Sequence, residues 1–121
     1  MATPRPDEVD GFLPLPTAVF HILVALADRE RHGYSIMQDV AARTDGKVRL
    51  SAGTLYSAIR RMLDQGLVVE LRDSPDPTSA DERRRYYRLT KFGRDVAIAE
   101  ARRVSDMLTQ ARATGLIPRK L

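Results

Sequence analysis

Apolar residues recur along the chain at two spacings, a helical spacing in four segments and an alternating spacing in two. These spacings predict helices over about 17–27, 34–43, 52–65 and 91–114, and strands over about 68–72 and 84–89. All seven prolines lie outside these segments, as expected for a residue that cannot donate a backbone hydrogen bond. The predicted order is therefore three helices, a hairpin and a long final helix.

The third predicted helix has the clearest pattern of the four. Its apolar residues Leu55, Ile59, Met62 and Leu63 follow one another at i, i+4, i+7 and i+8, which places them on one face. Ser51 is a good helix cap, and Gly66 supplies the left-handed residue that ends many helices. The opposite face is small and hydroxylated at the front and cationic further back, and it consists of Gly53, Thr54, Ser57, Arg60, Arg61 and Asp64.

The first two helices are predicted to build the core beneath the third. Thr17 is expected to cap the first helix, which is apolar on nearly every side and is therefore expected to be buried against more than one neighbour. The segment DRERHG reads as a turn before the second helix. The segment TDGK ends that helix, and residues 47–50 are expected to form a short extended piece.

The two predicted strands form a hairpin with a long tip, DSPDPTSADER. Alternation directs Tyr87 and Leu89 towards the core and Tyr86 and Arg88 outwards. Because a lone hairpin is marginally stable in water, we expect this one to pack on the helices.

The final helix begins after Thr90, a good cap, and ends before Gly115. Its residues Ala97, Ala101, Val104, Leu108 and Ala111 form a heptad seam, which Phe92, Val96 and Met107 widen. A core of this size cannot cover so long a helix completely. The seam either folds back on its own domain or, as we favour, meets a second copy of the chain.

These elements divide the chain into four parts. Residues 1–16 are expected to be a flexible arm, with Phe12, Leu13 and Leu15 able to lie on the body. Residues 17–89 form one domain, the helix of 90–114 is a dimerisation helix, and 115–121 are a tail.

The positive charge of the chain is concentrated in two stretches. The 121 residues carry a net charge of +4. Residues 43–61 contain five basic residues and one acidic residue, and residues 83–91 contain five basic residues and no acidic one. The two stretches therefore sum to +9 and the rest of the chain to −5. A concentrated excess of this kind is typical of a nucleic-acid partner, although charge runs are also common on solvated faces.

Composition excludes several other classes. With no cysteine and only two histidines, thiolate chemistry is ruled out, and neither a metal nor another cofactor is expected. No apolar run is long enough to span a membrane, and the first residues lack the apolar core of a signal peptide. These features predict a cytoplasmic protein without a membrane partner.

A pair of helices followed by a basic hairpin describes a winged helix-turn-helix, a mainly α fold with a small β-hairpin. Such a domain places its second motif helix in the major groove of double-stranded DNA, with the leading residues at the base edges. Small side chains at the front permit close approach, and an arginine can pair bidentately with guanine. The candidate DNA-binding residues are Ser35, Lys47, Ser51, Gly53, Thr54, Tyr56, Ser57, Arg60, Arg61, Arg83, Arg84, Arg85, Tyr86 and Arg88.

Two of these candidates also have a structural interpretation. Ser35 either holds a phosphate at the start of its helix or caps that helix. Tyr56 lies at the border of the apolar stripe, where both a core role and a phosphate contact through its hydroxyl are open.

The segments HGYSIMQDV, GTLYSAIRRMLDQGLV and RRYYRLTKFG together resemble the PadR family of bacterial transcriptional regulators, over roughly residues 13–112. The resemblance implies a homodimer that pairs through its C-terminal helix, in the short form with a single such helix. It also implies repression of transcription that a small molecule relieves. Members that bind drugs stack planar ligands on a tryptophan, which this chain lacks.

The seam and the first helix supply a candidate dimer interface or effector cleft for a small apolar or aromatic molecule. Its residues are Phe20, Leu23, Ala97, Ala101, Val104, Met107, Leu108 and Ala111. Residues of this kind more often form a plain dimer core that binds no ligand.

Three other functions are alternatives to a repressor that reads an inverted repeat. Another winged helix family such as MarR usually has longer flanking helices. A protein-interaction winged helix without DNA binding would present an apolar or acidic face on the third helix, in place of Ser57, Arg60 and Arg61. An enzyme is disfavoured because the chain has neither a glycine-rich phosphate loop nor a cysteine.

Overall fold

The structure, a computed structural model, describes residues 6–71 and 85–118. Its helices are α1 (Pro6–Asp10), α2 (Thr17–Ala27), α3 (Gly33–Arg43), α4 (Ala52–Asp64) and α5 (Lys91–Ala113). Its strands are β1 (Arg31–His32), β2 (Val68–Leu71) and β3 (Tyr86–Leu89). The winged helix fold predicted from the sequence is confirmed.

The core lies where α2, α3, α4 and the sheet meet. Ile22 and Leu23 of α2, Ile36 of α3 and Leu55 and Met62 of α4 are completely shielded from solvent. The apolar stripe predicted for the third helix is therefore the face that α4 buries. At about 25 cal/mol per Å² of apolar surface, burial of these side chains is the main stabilising contribution to the domain.

The sheet has three strands in the order β1-β3-β2, and both pairings are antiparallel. Tyr87 and Leu89 are buried and Arg88 is exposed, as alternation predicted, whereas Tyr86 is half-buried. The ring of Tyr86 packs edge-on against His32, with ring centroids 5.3 Å apart. The strand β1 explains this burial, because it covers the side of β3 that a two-stranded hairpin would leave open.

The segment expected to be extended, residues 47–50, does not form a strand. Thr44 Oγ1 donates to Val40 O (2.8 Å) and accepts from Val48 N (3.0 Å). Asp45 and Gly46 both have positive φ. The chain therefore turns tightly after α3 and approaches α4 as a loop, and the third strand comes instead from the segment DRERHG.

Several predicted helix ends are confirmed. The Ser51 and Thr90 side chains cap α4 and α5 by accepting from Thr54 N and Gly93 N, and Gly66 and Gly115 have φ of 76° and 84°. Thr17 is not a cap, because Pro16 holds that position and no side chain caps α2.

Residues 6–16 lie against the body, and Phe12, Leu13 and Leu15 pack on it as the sequence allowed. The helix α1 contacts α5, and the ring of Phe12 meets that of Phe92 with centroids 5.4 Å apart. Leu15 is buried in the core. The first five residues of the predicted arm lie outside the described residues.

Candidate nucleic-acid interface

The outward face of α4 is accessible along its whole length. Gly53, Thr54, Ser57, Arg60 and Asp64 are all exposed, opposite the buried Leu55 and Ile59. A methyl group added at Gly53 meets no atom within 4 Å. The front of the helix thus has room for close approach of a partner, since no neighbouring element covers it.

The cap at the front of α4 engages two of the predicted hydroxyls. Ser51 Oγ accepts from Thr54 N (3.1 Å) and also donates to Thr54 Oγ1 (3.0 Å). Thr54 Oγ1 retains its own hydrogen as a donor, and Ser57 Oγ is exposed. These two groups are the hydroxyl donors that the front of α4 can offer.

The two arginines of α4 differ in their direction around the helix and in their surroundings. At about 100° per residue, Arg60 lies about 20° from Gly53 around the helix and Arg61 about 80° from it. Arg61 instead lines a cleft of about 340 Å³ with Gln65 and residues 11–19. Neither arginine forms an ion pair within the described part of the chain. Arg60 is therefore the better placed of the two for the face that carries Gly53 and Ser57.

Tyr56 connects α4 with the start of α3. Its ring is 48% exposed, so it is not a core residue, yet its hydroxyl end packs on Gly33. A Cβ at Gly33 would collide with the Tyr56 Oη and Cζ atoms. The absence of a side chain at Gly33 therefore fixes how closely the two motif helices approach at this point.

Ser35 has a different local role from either predicted one. His32 caps α3, because its Nδ1 accepts from Ser35 N (3.2 Å), and Ser35 Oγ donates to His32 O (2.9 Å). The Ser35 hydroxyl is half-buried and occupied in this turn. The histidine therefore stabilises the start of the helix.

The basic residues of the described wing are paired with acidic ones. Arg85 Nη1 lies 2.9 Å from Glu70 Oε2, and Arg88 Nη1 lies 3.9 Å from Glu30 Oε1. Both arginines are exposed, so these pairs are weak and can be exchanged for phosphate contacts. The predicted contacts Arg83 and Arg84 lie outside the described residues.

Behind the interface, charged groups form a closed network that joins α2, β1 and α3. Arg31 Nη2 lies 3.2 Å from Asp28 Oδ1 and 3.1 Å from Asp39 Oδ1, and Arg43 Nε lies 2.6 Å from Asp39 Oδ2. The hydrogen bond to Asp39 raises the pKa of Arg43 above its usual value. These charges hold α3 against the end of α2 and β1, and they are already satisfied.

Lys47 is exposed as predicted, and the structure adds two residues that the sequence interpretation missed. Tyr34 is 56% exposed on the first turn of α3, and Arg49 is exposed beside Gly46. The available signal was the position of Tyr34 opposite Ile36 and Val40, which at helical spacing marks an outward side chain.

The predicted dimer or effector residues fall into two groups. Leu23 is completely buried in the core, so it is not available to a ligand or to a second chain, and its assignment to the cleft is wrong. Phe20 and Ala97 are half-buried against the same core. Further along α5, Met107 is 48% exposed and Leu108 is 39% exposed, with Ala101 exposed and Val104 and Ala111 half-buried.

Within the described residues, no cluster of three or more His, Asp or Glu side chains could hold a metal ion. None of the described helices is both long and apolar enough to cross a membrane.

Comparison with known proteins places this fold in a family. The sequence model of the "Transcriptional regulator PadR-like family" matches residues 22–99. A transcriptional regulator of Mycobacterium tuberculosis is 36% identical over 90 residues, which cover 74% of this chain and 77% of that protein. An uncharacterised protein of Lysinibacillus sphaericus is 32% identical over 73 residues, 60% of this chain and 64% of that one.

Solved structures agree with the sequence matches. A transcriptional regulator from Clostridium thermocellum has a TM-score of 0.67 at 21% identity, over 95% of this chain and all of that one. A PadR family transcription regulator from Clostridium difficile has a TM-score of 0.63 at 25% identity, over 78% and 96%. Bacillus subtilis PadR, solved in complex with operator DNA, has a TM-score of 0.59 at 19% identity, over 71% of this chain and 47% of that one.

Proposed function

The chain belongs to the PadR-like family of transcriptional regulators, and from that premise we propose that it is a homodimeric repressor of an inverted-repeat operator. Its family consists of regulators and not of enzymes. In this proposal residues 17–89 are the DNA-binding unit, α4 reads the bases and the wing contacts the backbone. A small apolar or aromatic molecule releases the DNA.

The observation that carries the proposal is the outer face of α4. Gly53, Ser57 and Arg60 are exposed on one side of a helix whose other side is buried in the core. A major groove about 12 Å wide admits one helix, and a bidentate arginine–guanine contact contributes about 1–3 kcal/mol of discrimination between bases. Bacillus subtilis PadR, a structural neighbour of the same fold, is solved in complex with operator DNA.

The wing and the helix starts supply the expected backbone contacts. Arg85 and Arg88 are exposed on and beside β3, and Arg83 and Arg84 continue the same basic run. Such residues release counterions from DNA and strengthen binding without reading sequence. Lys47 is assigned to a phosphate group for the same reason, and the Tyr56 hydroxyl is assigned to one as a neutral hydrogen-bond donor.

Pairing of two chains is assigned to the second half of α5. Met107 and Leu108 expose apolar surface there, in a stretch of α5 where residues 105–110 are all exposed. A heptad seam with this exposure favours a partner helix. Two copies of α4 would then be related by a two-fold axis, as an inverted repeat requires.

Repression and its release by an effector are supported by the family resemblance. With Leu23 in the core, the candidate cleft is reduced to Phe20 and the exposed seam of α5. A thermal-shift screen identifies an effector as a compound that raises the melting temperature and also releases DNA. Compounds that raise the melting temperature without releasing DNA would argue against relief by an effector.

Selection from a randomised duplex pool tests the proposed function. We expect enrichment of an inverted repeat whose half-sites lie about 34–36 Å apart, or a multiple of that distance. The enriched duplex should bind at least about 10³-fold more tightly than its scrambled version at the same salt concentration. Equal affinity for the two duplexes would contradict sequence-specific regulation.

A further inference from the structure

A hollow of about 410 Å³ lies between α3 and the loop that leads into α4. Its floor is formed by the half-buried side chains of Met37, Ala41 and Leu50, and its rim by exposed polar ones. The rim residues are Tyr34, Gln38 and Arg49.

The hollow borders the front end of α4. Leu50 immediately precedes Ser51, the cap of that helix. On the other side, Tyr34 follows Gly33, the residue on which the Tyr56 hydroxyl end packs. A duplex that receives the front of α4 therefore brings its backbone next to these rim residues.

The polar groups of the rim are able to donate hydrogen bonds to an anion. Arg49 is a cation that forms no ion pair with any described residue. Tyr34 contributes a phenolic hydroxyl and Gln38 an amide, both of which donate. The guanidinium of Arg49 also lies over Gly46, where a side chain would crowd it.

We propose that this hollow seats one sugar-phosphate unit of the DNA backbone, in addition to the predicted contacts. The inference rests on the proposed function and adds Tyr34, Gln38 and Arg49 to the interface. The deoxyribose lies on the apolar floor, and the phosphate accepts hydrogen bonds from Arg49 and Tyr34. The contact fixes the position of α3 across the backbone and carries no sequence information.

The test compares Arg49→Ala and Tyr34→Phe with Arg102→Ala. Arg102 is exposed on α5 and matches Arg49 in the charge removed. Binding to the selected duplex and to its scrambled version is measured by fluorescence anisotropy at several salt concentrations. Thermal unfolding checks that each variant is folded.

Arg49→Ala is expected to weaken both complexes by the same factor, about tenfold in each half-site for a lost hydrogen bond to a charged group. It should also reduce the slope of log affinity against log salt by about 0.9 for each half-site, and so by about 1.8 for the homodimer. Tyr34→Phe should weaken both complexes without changing the slope. When single phosphates of the duplex are replaced by neutral methylphosphonates, one replacement in each half-site should weaken binding of the wild type but not of Arg49→Ala.

The possible failures are distinguishable. If the wild type prefers the selected duplex but Arg49→Ala and Tyr34→Phe bind it as Arg102→Ala does, the hollow is not a backbone contact and the proposed function stands. If the wild type does not distinguish the duplexes, the proposed function fails. If it has no affinity for any duplex, the hollow proposal fails as well.

Discussion

Gly53 is a residue at which stability and the proposed function require different side chains. It lies in the first turn of α4, and a Cβ there meets nothing within 4 Å. Glycine in a helix costs roughly 0.5–1 kcal/mol relative to alanine, so folding alone favours alanine at this position. Close approach to base edges, in contrast, favours the residue without a side chain.

We therefore predict opposite effects of Gly53→Ala on stability and binding. The free energy of unfolding should rise by up to about 0.5–1 kcal/mol, and affinity for the selected duplex should fall. Chemical denaturation and anisotropy titration measure the two quantities. A variant that is more stable and binds equally well would show that the front of α4 does not approach the DNA closely.

Arg60→Ala tests the assignment of base reading to this arginine. The change should cost about 1–3 kcal/mol on the selected duplex and reduce the preference for one base position. Selection repeated with the variant reveals which position loses its preference. Arg61→Ala is the control, since its side chain lines the cleft beside α2. A greater loss of specificity in Arg61→Ala than in Arg60→Ala would reverse the assignment.

At the scale of elements, Gly93 sets the distance between α5 and the start of the wing. A Cβ at this position would collide with the backbone carbonyl oxygen of Leu67, which no side-chain rotation can move. Gly93→Ala should lower the free energy of unfolding by about 1–3 kcal/mol, as overpacking does. Gly53→Ala is the matched control, because a Cβ at that position meets no atom within 4 Å. Equal stability of the two variants would contradict the close packing of Gly93 on Leu67.

Glu100 joins α5 to the segment that precedes α2. Its carboxylate is 3% exposed and accepts hydrogen bonds from Arg103 Nε (2.7 Å) and Nη2 (2.9 Å) and from the Leu15 backbone N–H. The bonds from Arg103 lower the pKa of Glu100 below its usual 4.5, against the effect of burial. The stabilisation is therefore present above the unfolded-state pKa and is lost as the pH falls through the folded-state pKa.

Glu100→Gln should accordingly lower the free energy of unfolding by about 1–3 kcal/mol at neutral pH. The difference from the wild type should shrink at acidic pH, where the wild-type carboxylate becomes protonated. Denaturation at a series of pH values measures both effects, with Asp106→Asn on the exposed side of α5 as control. If the difference in free energy of unfolding between the wild type and Glu100→Gln stayed constant down to acidic pH, the charge of Glu100 would contribute nothing to stability.

The sequence predicted those elements whose periodicity extends over several turns. The α4 stripe and the Thr90 cap of α5 were confirmed because each depends on local spacing and local hydrogen bonds. The strand β1 was missed because two residues, Arg31 and His32, are too short for alternation to be visible. Its pairing with Tyr86 and Tyr87 is a long-range contact.

At the site, the sequence predicted which face of α4 would be exposed but not which neighbours each residue would have. The cleft that Arg61 lines depends on the position of residues 11–19 beside α4. The burial of Leu23 depends on α2 being covered on several sides. Both outcomes are set by the packing of elements distant in the sequence.

At the scale of the whole molecule, recognition of an inverted repeat depends on pairing through α5. Leu108→Glu would place a charge in the apolar seam and should convert the dimer to a monomer, with a loss of affinity for the inverted repeat. Sedimentation velocity measures the mass of the particle. Thr109→Glu, at an exposed neighbouring position, is the control and should remain dimeric. A monomeric wild type, or a dimeric Leu108→Glu, would contradict pairing through this seam.

Reactivity of guanine N7 atoms in the selected duplex tests most directly whether α4 enters the major groove, where that atom is exposed. Methylation by dimethyl sulfate should be suppressed in both half-sites by the wild type, and Arg60→Ala should restore the reactivity of one guanine in each. Tight binding that leaves every N7 reactive, or protection that Arg60→Ala does not change, would contradict the placement of this helix.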